Sequence, residues 1–247
     1  MAIIQFLIST IVLAILYVRM IKRETPSIGK AQAIVPIVFG AVSLLVSVFI
    51  TLGIGIILFK LGYNKNNIDN LALRSLVSSF FSAGLSEEIA KFLFIILSIK
   101  IFKPKNVYEY LLTGFGVGMG FTMFEEFLYG SNLVVLILRM FIITFHAVFG
   151  SIMASYIGKA KYYKQNMVEN KNPAFEYVKS LLIPILIHTL YDATNIKNAG
   201  LESGVSQNIQ EIAITIALIT IVVAFILQIV IHIRIKKDTE KLCQMTV

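Results

Sequence analysis

Long apolar runs alternate with short polar segments along the whole sequence. A helix needs about 20 residues to cross the hydrocarbon core of a bilayer, and most of the runs come close to that length or exceed it. The pattern predicts an all-α transmembrane bundle of about seven to eight spans. The seven spans that can be placed are Ala2–Met20, Ala33–Phe59, Leu71–Phe102, Val107–Tyr129, a run that follows the turn Gly130–Asn132 and ends near Gly158, Ser180–Asn195 and Ile212–Ile233.

The composition agrees with a membrane protein. Hydrophobic residues make up 57% of the chain and charged residues 15%, and the mean hydropathy is +0.82. A soluble domain of this length carries more charge. The net charge of +8 does not indicate nucleic-acid binding, because most Lys and Arg residues lie in short loops, where they set topology and meet anionic lipid headgroups. A single cysteine, Cys243, excludes an intramolecular disulfide and a cysteine-based metal site.

The basic residues also predict an orientation. Arg19, Lys22 and Arg23 follow the first run and none precedes it, so we expect a retained span rather than a cleaved signal peptide. With the N-terminus outside and the C-terminus in the cytoplasm, most basic loops face the cytoplasm, including the hydrophilic loop Lys159–Lys179. No internal repeat is visible, so residues 1–247 are expected to form one domain.

Several apolar runs contain ionisable residues. Each costs roughly 2.5–3.5 kcal/mol at the centre of a membrane helix, so such residues commonly have a function. The stretch Gly84–Lys91 (GLSEEIAK) contains Glu87, Glu88 and Lys91. Later runs contribute Glu125, Glu126, Arg139, His146, His188 and Asp192. We expect these side chains to form one buried polar site.

The spacing of these residues places them on defined helix faces. Residues four apart share a face, and the pairs with this spacing are Glu87 and Lys91, Glu125 and Tyr129, His146 and Gly150, and His188 and Asp192. In lipid each polar stripe has to face inward. Glu87, His146 and His188 are predicted near the middle of their helices, and Glu125 nearer the outer end of its helix. The site is therefore expected slightly to the outer side of the membrane midplane.

The residue types suit hydrolysis by a zinc-bound water. Two histidines and carboxylates are zinc ligands, and a catalytic zinc takes three protein ligands and a water. Glu87 and Glu88 supply a general base and its partner, and Lys91 can neutralise one of them or stabilise an oxyanion. Buried Glu, His and Asp also form proton relays, so an ion-coupled carrier, or an immunity or scaffold protein, is the alternative. The absence of an inverted repeat argues against a carrier.

Four motifs within residues 71–195 carry a resemblance to a known family. They are GLSEEIAKFL (Gly84–Leu93), GFTMFEEFLYG (Gly120–Gly130), HAVFGSIMASYIG (His146–Gly158) and LLIPILIHTLYD (Leu181–Asp192). The chain resembles the PrsW family of intramembrane proteases, distant relatives of the CAAX prenyl endopeptidases. It departs from the family at Glu126, where relatives usually have Asn, which leaves open whether Glu125 alone or both glutamates face the site.

The resemblance implies an endopeptidase that cuts a membrane-anchored protein, such as an anti-sigma factor, in a prokaryotic plasma membrane. It implies that Glu87 with Glu88 activates water. It also implies that a metal, expected to be zinc, is bound by Glu125, His146 and His188, or that these residues polarise the scissile carbonyl. Asp192 would be a further ligand or a partner of His188. Glu126 is expected to pair with Arg139, and Arg139 and Tyr129 are expected to line the site.

Overall fold

The computed structural model describes residues 2–24, 28–129, 133–194 and 207–247. These ranges form nine α-helices and contain no β-strand, so the predicted all-α class is confirmed. The only extended pairing among them is an isolated bridge between Asn106 and Thr246. The helices are α1 (Ala2–Ile21), α2 (Lys30–Lys60), α3 (Leu71–Ser79), α4 (Ser86–Phe102), α5 (Val107–Tyr129), α6 (Leu133–Met140), α7 (Phe145–Gln165), α8 (Pro173–Ala193) and α9 (Gln207–Gln244).

The predicted span Leu71–Phe102 is helical throughout, but it is not a regular α-helix. A π-helical segment, Phe80–Leu85, joins α3 to α4. The side chain of Asn70 caps the start of α3 by accepting a hydrogen bond from the backbone N–H of Leu73. Segments of this kind are often found at functional sites. Here the widened turn ends immediately before α4, whose first turn carries the adjacent glutamates of the first motif.

Helix α5 forms the centre of the bundle. Every residue from Val107 to Thr122 is buried, with α7 on one side and α1 and α2 on the other. Glycine permits the close contact with α7, since a Cβ atom on Gly118 would collide with the carbonyl group of His146. Small residues let membrane helices approach in this way. The packing of α5 therefore fixes where the third motif begins.

The predicted loop Lys159–Lys179 is wrong at both ends. Helix α7 continues to Gln165, and Tyr162 and Tyr163 pack against the main apolar cluster of the bundle. Helix α8 starts at Pro173 because Pro suits the first helical position and the side chain of Asn172 accepts a hydrogen bond from Ala174. Only residues 166–172 connect the two helices.

The predicted fifth span is also interrupted. A turn at residues 141–144 separates the eight-residue helix α6 from α7. His146 is therefore the second residue of a helix, and the prediction that it lies near a helix middle is wrong. The apolar residues of the turn continue the hydrophobic run, which hid the break. The turn predicted at Gly130–Asn132 lies outside the described residues.

Within the described ranges, four stretches are long and apolar enough to cross a membrane, namely Ala2–Ile21, Lys30–Lys60, Leu136–Gln165 and Gln210–Gln244, and the third of these includes the turn at residues 141–144. Helix α4 has only 17 residues and contains Glu87, Glu88, Lys91 and Lys100. The glycines of α5 and the ionisable residues of α5 and α8 lower the hydropathy of those two helices. The structure thus agrees with a membrane protein. The count of seven to eight spans and the orientation of the termini stay predictions.

Candidate active site

The first two turns of α4 hold a buried cluster of charge. The side chains of Glu88 and Lys91 have no exposed surface, and Oε1 of Glu88 lies 2.6 Å from Nζ of Lys91. The side chain of Glu87 is 18% exposed, and its Oε2 lies 3.7 Å from the same Nζ. A charge removed from water needs a partner, because an unpaired ion in the interior is strongly destabilising. The two adjacent glutamates therefore occupy different environments.

His188 of α8 contacts both glutamates in unequal ways. Its Nδ1 lies 2.6 Å from Oε1 of Glu88 and donates to that carboxylate. Its Nε2 lies 3.9 Å from Oε2 of Glu87 and 3.7 Å from Oδ2 of Asp192, beyond hydrogen-bond distance from either. Glu88 thus fixes the orientation of the ring, and Nε2 is directed at the space next to Glu87.

His146, at the start of α7, has both ring nitrogens occupied. Nδ1 accepts a hydrogen bond from Nζ of Lys91 at 2.9 Å, and Nε2 lies 2.8 Å from Oε2 of Glu125. The centroids of the two imidazole rings are 5.1 Å apart, so His146 and His188 are direct neighbours. Lys91 consequently links the first and third motifs, while Glu125 links the second and third.

Arg139 of α6 pairs with both glutamates of the second motif. It lies 3.1 Å from Glu125 and 2.8 Å from Glu126, so the ion pair expected between Glu126 and Arg139 is present. Gln5 of α1 also donates a hydrogen bond to Glu126. The two glutamates therefore diverge, since Glu125 contacts His146 whereas Glu126 contacts the first helix. The side chain of Tyr129, predicted to line the site, lies outside the described part of the chain.

Aromatic side chains enclose the polar groups. Nζ of Lys91 lies 4.2 Å from the centroid of the Phe121 ring, a cation–π contact. The ring of Phe149 is 5.7 Å from that of His188, and Phe145 packs between the two histidines and Tyr191. Phe121 and Gln5 were not predicted as site residues from the sequence. A lone polar residue in an apolar run was the signal for Gln5, whereas an aromatic residue in such a run carries none.

The described residues contain one group suited to a metal ion. Ligand atoms of Glu87, His146 and His188 all lie within 4.8 Å of one another. Oε2 of Glu87 is buried and has no hydrogen-bond partner within the described structure, and Nε2 of His188 faces it. Two histidines and a glutamate form a known catalytic zinc set, so the donors fit zinc. Lys91 would have to release Nδ1 of His146 for that atom to serve as a ligand.

This group differs from the ligands expected from the resemblance. Asp192 lies 3.7 Å from Nε2 of His188, and Glu125 contacts His146 on the side away from Lys91. Both residues lie beside the histidines, and neither belongs to the group of three. Glu87, expected as a base, has the geometry of either a base or a ligand.

A cavity of about 560 Å³ lies between α2 and the helix that leads into α4. Its lining includes Thr51 and Gly55 of α2 and Ser82 of the π-helical segment. The hydroxyl oxygen of Thr51 lies 2.8 Å from that of Ser86, the residue immediately before Glu87. The cavity therefore borders the beginning of the first motif.

Residues 30–232 match the model of a family described as PrsW family intramembrane metalloprotease. The chain belongs to the PrsW family. This confirms the resemblance drawn from the four motifs. Within the PrsW family, the protein named Protease PrsW from Halalkalibacterium halodurans is 30% identical over 122 residues, that from Oceanobacillus iheyensis is 32% identical over 122 residues, and that from Bacillus subtilis is 30% identical over 130 residues.

The matches to these PrsW proteins are partial. They cover 48%, 47% and 50% of this chain and 54%, 53% and 56% of the respective relatives. The chain thus spans about half the length of the curated relatives that it matches. No solved structure matches the chain.

Proposed function

We propose that this member of the PrsW family is an intramembrane endopeptidase, with residues 1–247 as one protease domain around the motif-bearing core 71–195. The observation that carries the proposal is the arrangement around Glu87. Its Oε2 is buried, lacks a hydrogen-bond partner among the described residues and faces Nε2 of His188 within a membrane-protein bundle. A carboxylate free of hydrogen bonds can take a proton from a water molecule, and an adjacent imidazole can polarise a carbonyl group.

In this proposal Glu87 removes a proton from water as the oxygen attacks the carbonyl carbon of the scissile peptide bond. The same carboxyl group then gives the proton to the leaving amine when the C–N bond breaks. Nε2 of His188, when it carries a proton, stabilises the negative charge on the oxygen of the reacting carbonyl, and His146 would do so once its Nε2 is released from Glu125. Glu88 and Lys91, both without exposed surface, hold the two histidines through the contacts at 2.6 and 2.9 Å.

Zinc is the cofactor that these residues would hold, through Glu87, His146 and His188, and in that case Glu87 is a ligand rather than the base. A bound zinc ion would lower the pKa of its water toward about 7. Glu88 supports this role, because a carboxylate that accepts from the second nitrogen of a ligand histidine fixes its orientation. Glu125, which contacts Nε2 of His146, would act in the same way. Asp192 lies 3.7 Å from Nε2 of His188, the nitrogen that would bind the ion, and is proposed as a further ligand.

The substrate is proposed to be a membrane-anchored protein, with anti-sigma factors as the class that the family resemblance suggests. The proposed location is the cell membrane of a bacterium, since the PrsW relatives come from bacteria. A cut in or next to the membrane would then release the soluble part of the substrate.

The test is cleavage of a membrane-anchored reporter by the purified chain in liposomes. We expect cleavage by the wild type, none by Glu87→Gln, and normal cleavage by the control Glu176→Gln. Glu176 is also buried and lies on α8, but it pairs with Lys179 rather than with the site. Equal cleavage by Glu87→Gln would contradict the role of Glu87. A folded wild type that cleaves no reporter would favour the ion-coupled or scaffold alternative.

A further inference from the structure

The turn that precedes His146 provides partners for some of its backbone groups, since the N–H of Phe145 donates to the carbonyl oxygen of Ile142, but the N–H of Thr144 is bonded outside it. The first backbone N–H groups of a helix have no partner within the helix, and in a membrane they cannot turn to water. Thr144 stands at the cap position of α7, yet its side chain makes no capping hydrogen bond to the helix. The partner has to come from another element.

Gln228 of α9 supplies it. Its Oε1 accepts hydrogen bonds from the backbone N–H of Thr144 at 3.1 Å and from the hydroxyl group of Thr144 at 2.7 Å. Its Nε2 donates to the carbonyl oxygens of Phe141 at 3.1 Å and of Ala224 at 3.0 Å. The residue is only 4% exposed. Two acceptor positions and two N–H donors are all that an amide offers, so this side chain is fully satisfied.

These bonds join both ends of the four-residue turn to a helix that lies outside the four motifs. Phe141 begins the turn, Thr144 ends it, and His146 follows two residues later. Other described contacts of α9 with this region are apolar, such as Ala224 in one cluster with Phe145, and the ring of Phe225 at 5.4 Å from that of Phe141. Gln228 is therefore the polar link between α9 and the start of α7.

The opposite side of the same helix start is also fixed. The carbonyl group of His146 lies against Gly118 of α5, where no Cβ atom fits. The backbone at His146 is thus held between α5 and the turn that Gln228 ties to α9. A shift of the turn would move Nδ1 of His146 away from Lys91 and Nε2 away from Glu125, because both bonds are short.

We propose that Gln228 is a positioning residue for His146. It acts through the turn at residues 141–144 and touches neither the substrate nor the reacting atoms. The inference rests on the proposed function, since it assigns to Gln228 the task of placing a histidine of the proteolytic site. A positioning residue of this kind affects the rate of the chemical step rather than substrate binding.

The experiment compares Gln228→Met, which retains the volume but loses all four bonds, with Gln32→Met. Gln32 donates to Glu109 at 3.0 Å, so its replacement also removes a partly buried amide–carboxylate bond, but at the other end of α5. We expect Gln228→Met to lower kcat at least about ten-fold with little change in KM, and to weaken zinc binding about 10- to 100-fold, the usual cost of losing support for a metal ligand. Gln32→Met should keep the kcat and zinc affinity of the wild type.

A milder variant guards against a failure of Gln228→Met to fold. Thr144→Val removes only the hydroxyl bond to Gln228, and we expect a smaller loss of kcat. The double variant should be no slower than Gln228→Met alone, because both replacements break the same link. If the wild type cleaves its reporter and both single variants have the same kcat as the wild type, the inference is overturned but the proposed function is not. A wild type that cleaves nothing would overturn the proposed function and the inference with it.

Discussion

Nδ1 of His188 lies 2.6 Å from Oε1 of Glu88, which directs Nε2 of the same ring toward Glu87. This relationship separates the roles of two glutamates that are adjacent in the sequence. Glu88 has no exposed surface and binds both Lys91 and His188 at 2.6 Å, whereas Glu87 is 18% exposed and lies 3.7 Å from Lys91 and 3.9 Å from His188. One glutamate is therefore suited to holding the site and the other to the chemistry.

Glu88→Gln should destabilise the fold, whereas Glu87→Gln should not. Without the charge of Glu88, the carboxylate that the described structure leaves nearest to the ammonium group of Lys91 is that of Glu87, at 3.7 Å. Breaking a buried ion pair by removing one partner costs about 3–5 kcal/mol. Thermal unfolding in detergent measures the difference. The double variant Glu88→Gln/Lys91→Met removes both charges and should regain part of the loss, and a Glu88→Gln variant as stable as the wild type would refute the pairing.

Zinc content should separate the two possible roles of Glu87. We expect about one zinc per chain in the wild type, by analogy with catalytic sites of two histidines and one glutamate, and none in His146→Ala/His188→Ala. If Glu87 is a ligand, Glu87→Gln loses both zinc and activity. If it is only the base, the variant keeps zinc and loses activity. Elemental analysis of the purified proteins gives the answer, with Glu176→Gln as the control that should keep its zinc.

A wild type without zinc that still cleaves its reporter would exclude the metal role of both histidines. Cleavage would then depend on Glu87 and on the two imidazole rings alone. Treatment of the wild type with a chelator distinguishes the same cases, since loss of activity that added zinc restores is expected only for a metalloprotease.

Gly118→Ala should lower activity through His146. The added Cβ atom would collide with the carbonyl group of His146, so α5 and the start of α7 have to move apart. We expect reporter cleavage to be lost in a preparation that thermal unfolding shows to be still folded. Gly53→Ala is the control, because a Cβ atom at Gly53 meets nothing within 4 Å. Normal cleavage by Gly118→Ala would show that the close contact does not position the histidine.

Much of the helical framework and the polar core could be predicted from the sequence. Charged residues in apolar runs have to face one another in a membrane protein, so Glu87, His146 and His188 could be grouped without coordinates. The bounds Leu71–Phe102 and Val107–Tyr129 were also predictable, because Pro104 and the surrounding lysines interrupt the apolar pattern between them.

The remaining features depend on contacts between distant helices. The turn at residues 141–144 is composed of apolar residues and Thr144, so hydrophobicity does not reveal it. The hydrogen bonds from the N–H and the hydroxyl group of Thr144 go to Gln228, 84 residues further along the chain. The extension of α7 to Gln165 likewise depends on Tyr162 and Tyr163 packing against the bundle, and a polar loop and an exposed helix end have similar compositions.

The cavity between α2 and the π-helical segment should admit the substrate if cleavage occurs at Glu87. Gly55 lines it, and a Cβ atom at this position meets nothing within 4 Å, so the side chain of Gly55→Leu would start into open space beside the cavity. We expect this variant to raise KM or abolish cleavage of the membrane-anchored reporter. Gly53→Leu is the matched control, because Gly53 lies on the same helix, is equally free of neighbours and does not line the cavity. Leucine favours a helix more than glycine does, so a loss of activity in Gly55→Leu alone could not be attributed to a weakened α2. Equal activity of the two variants would place the path of the substrate elsewhere.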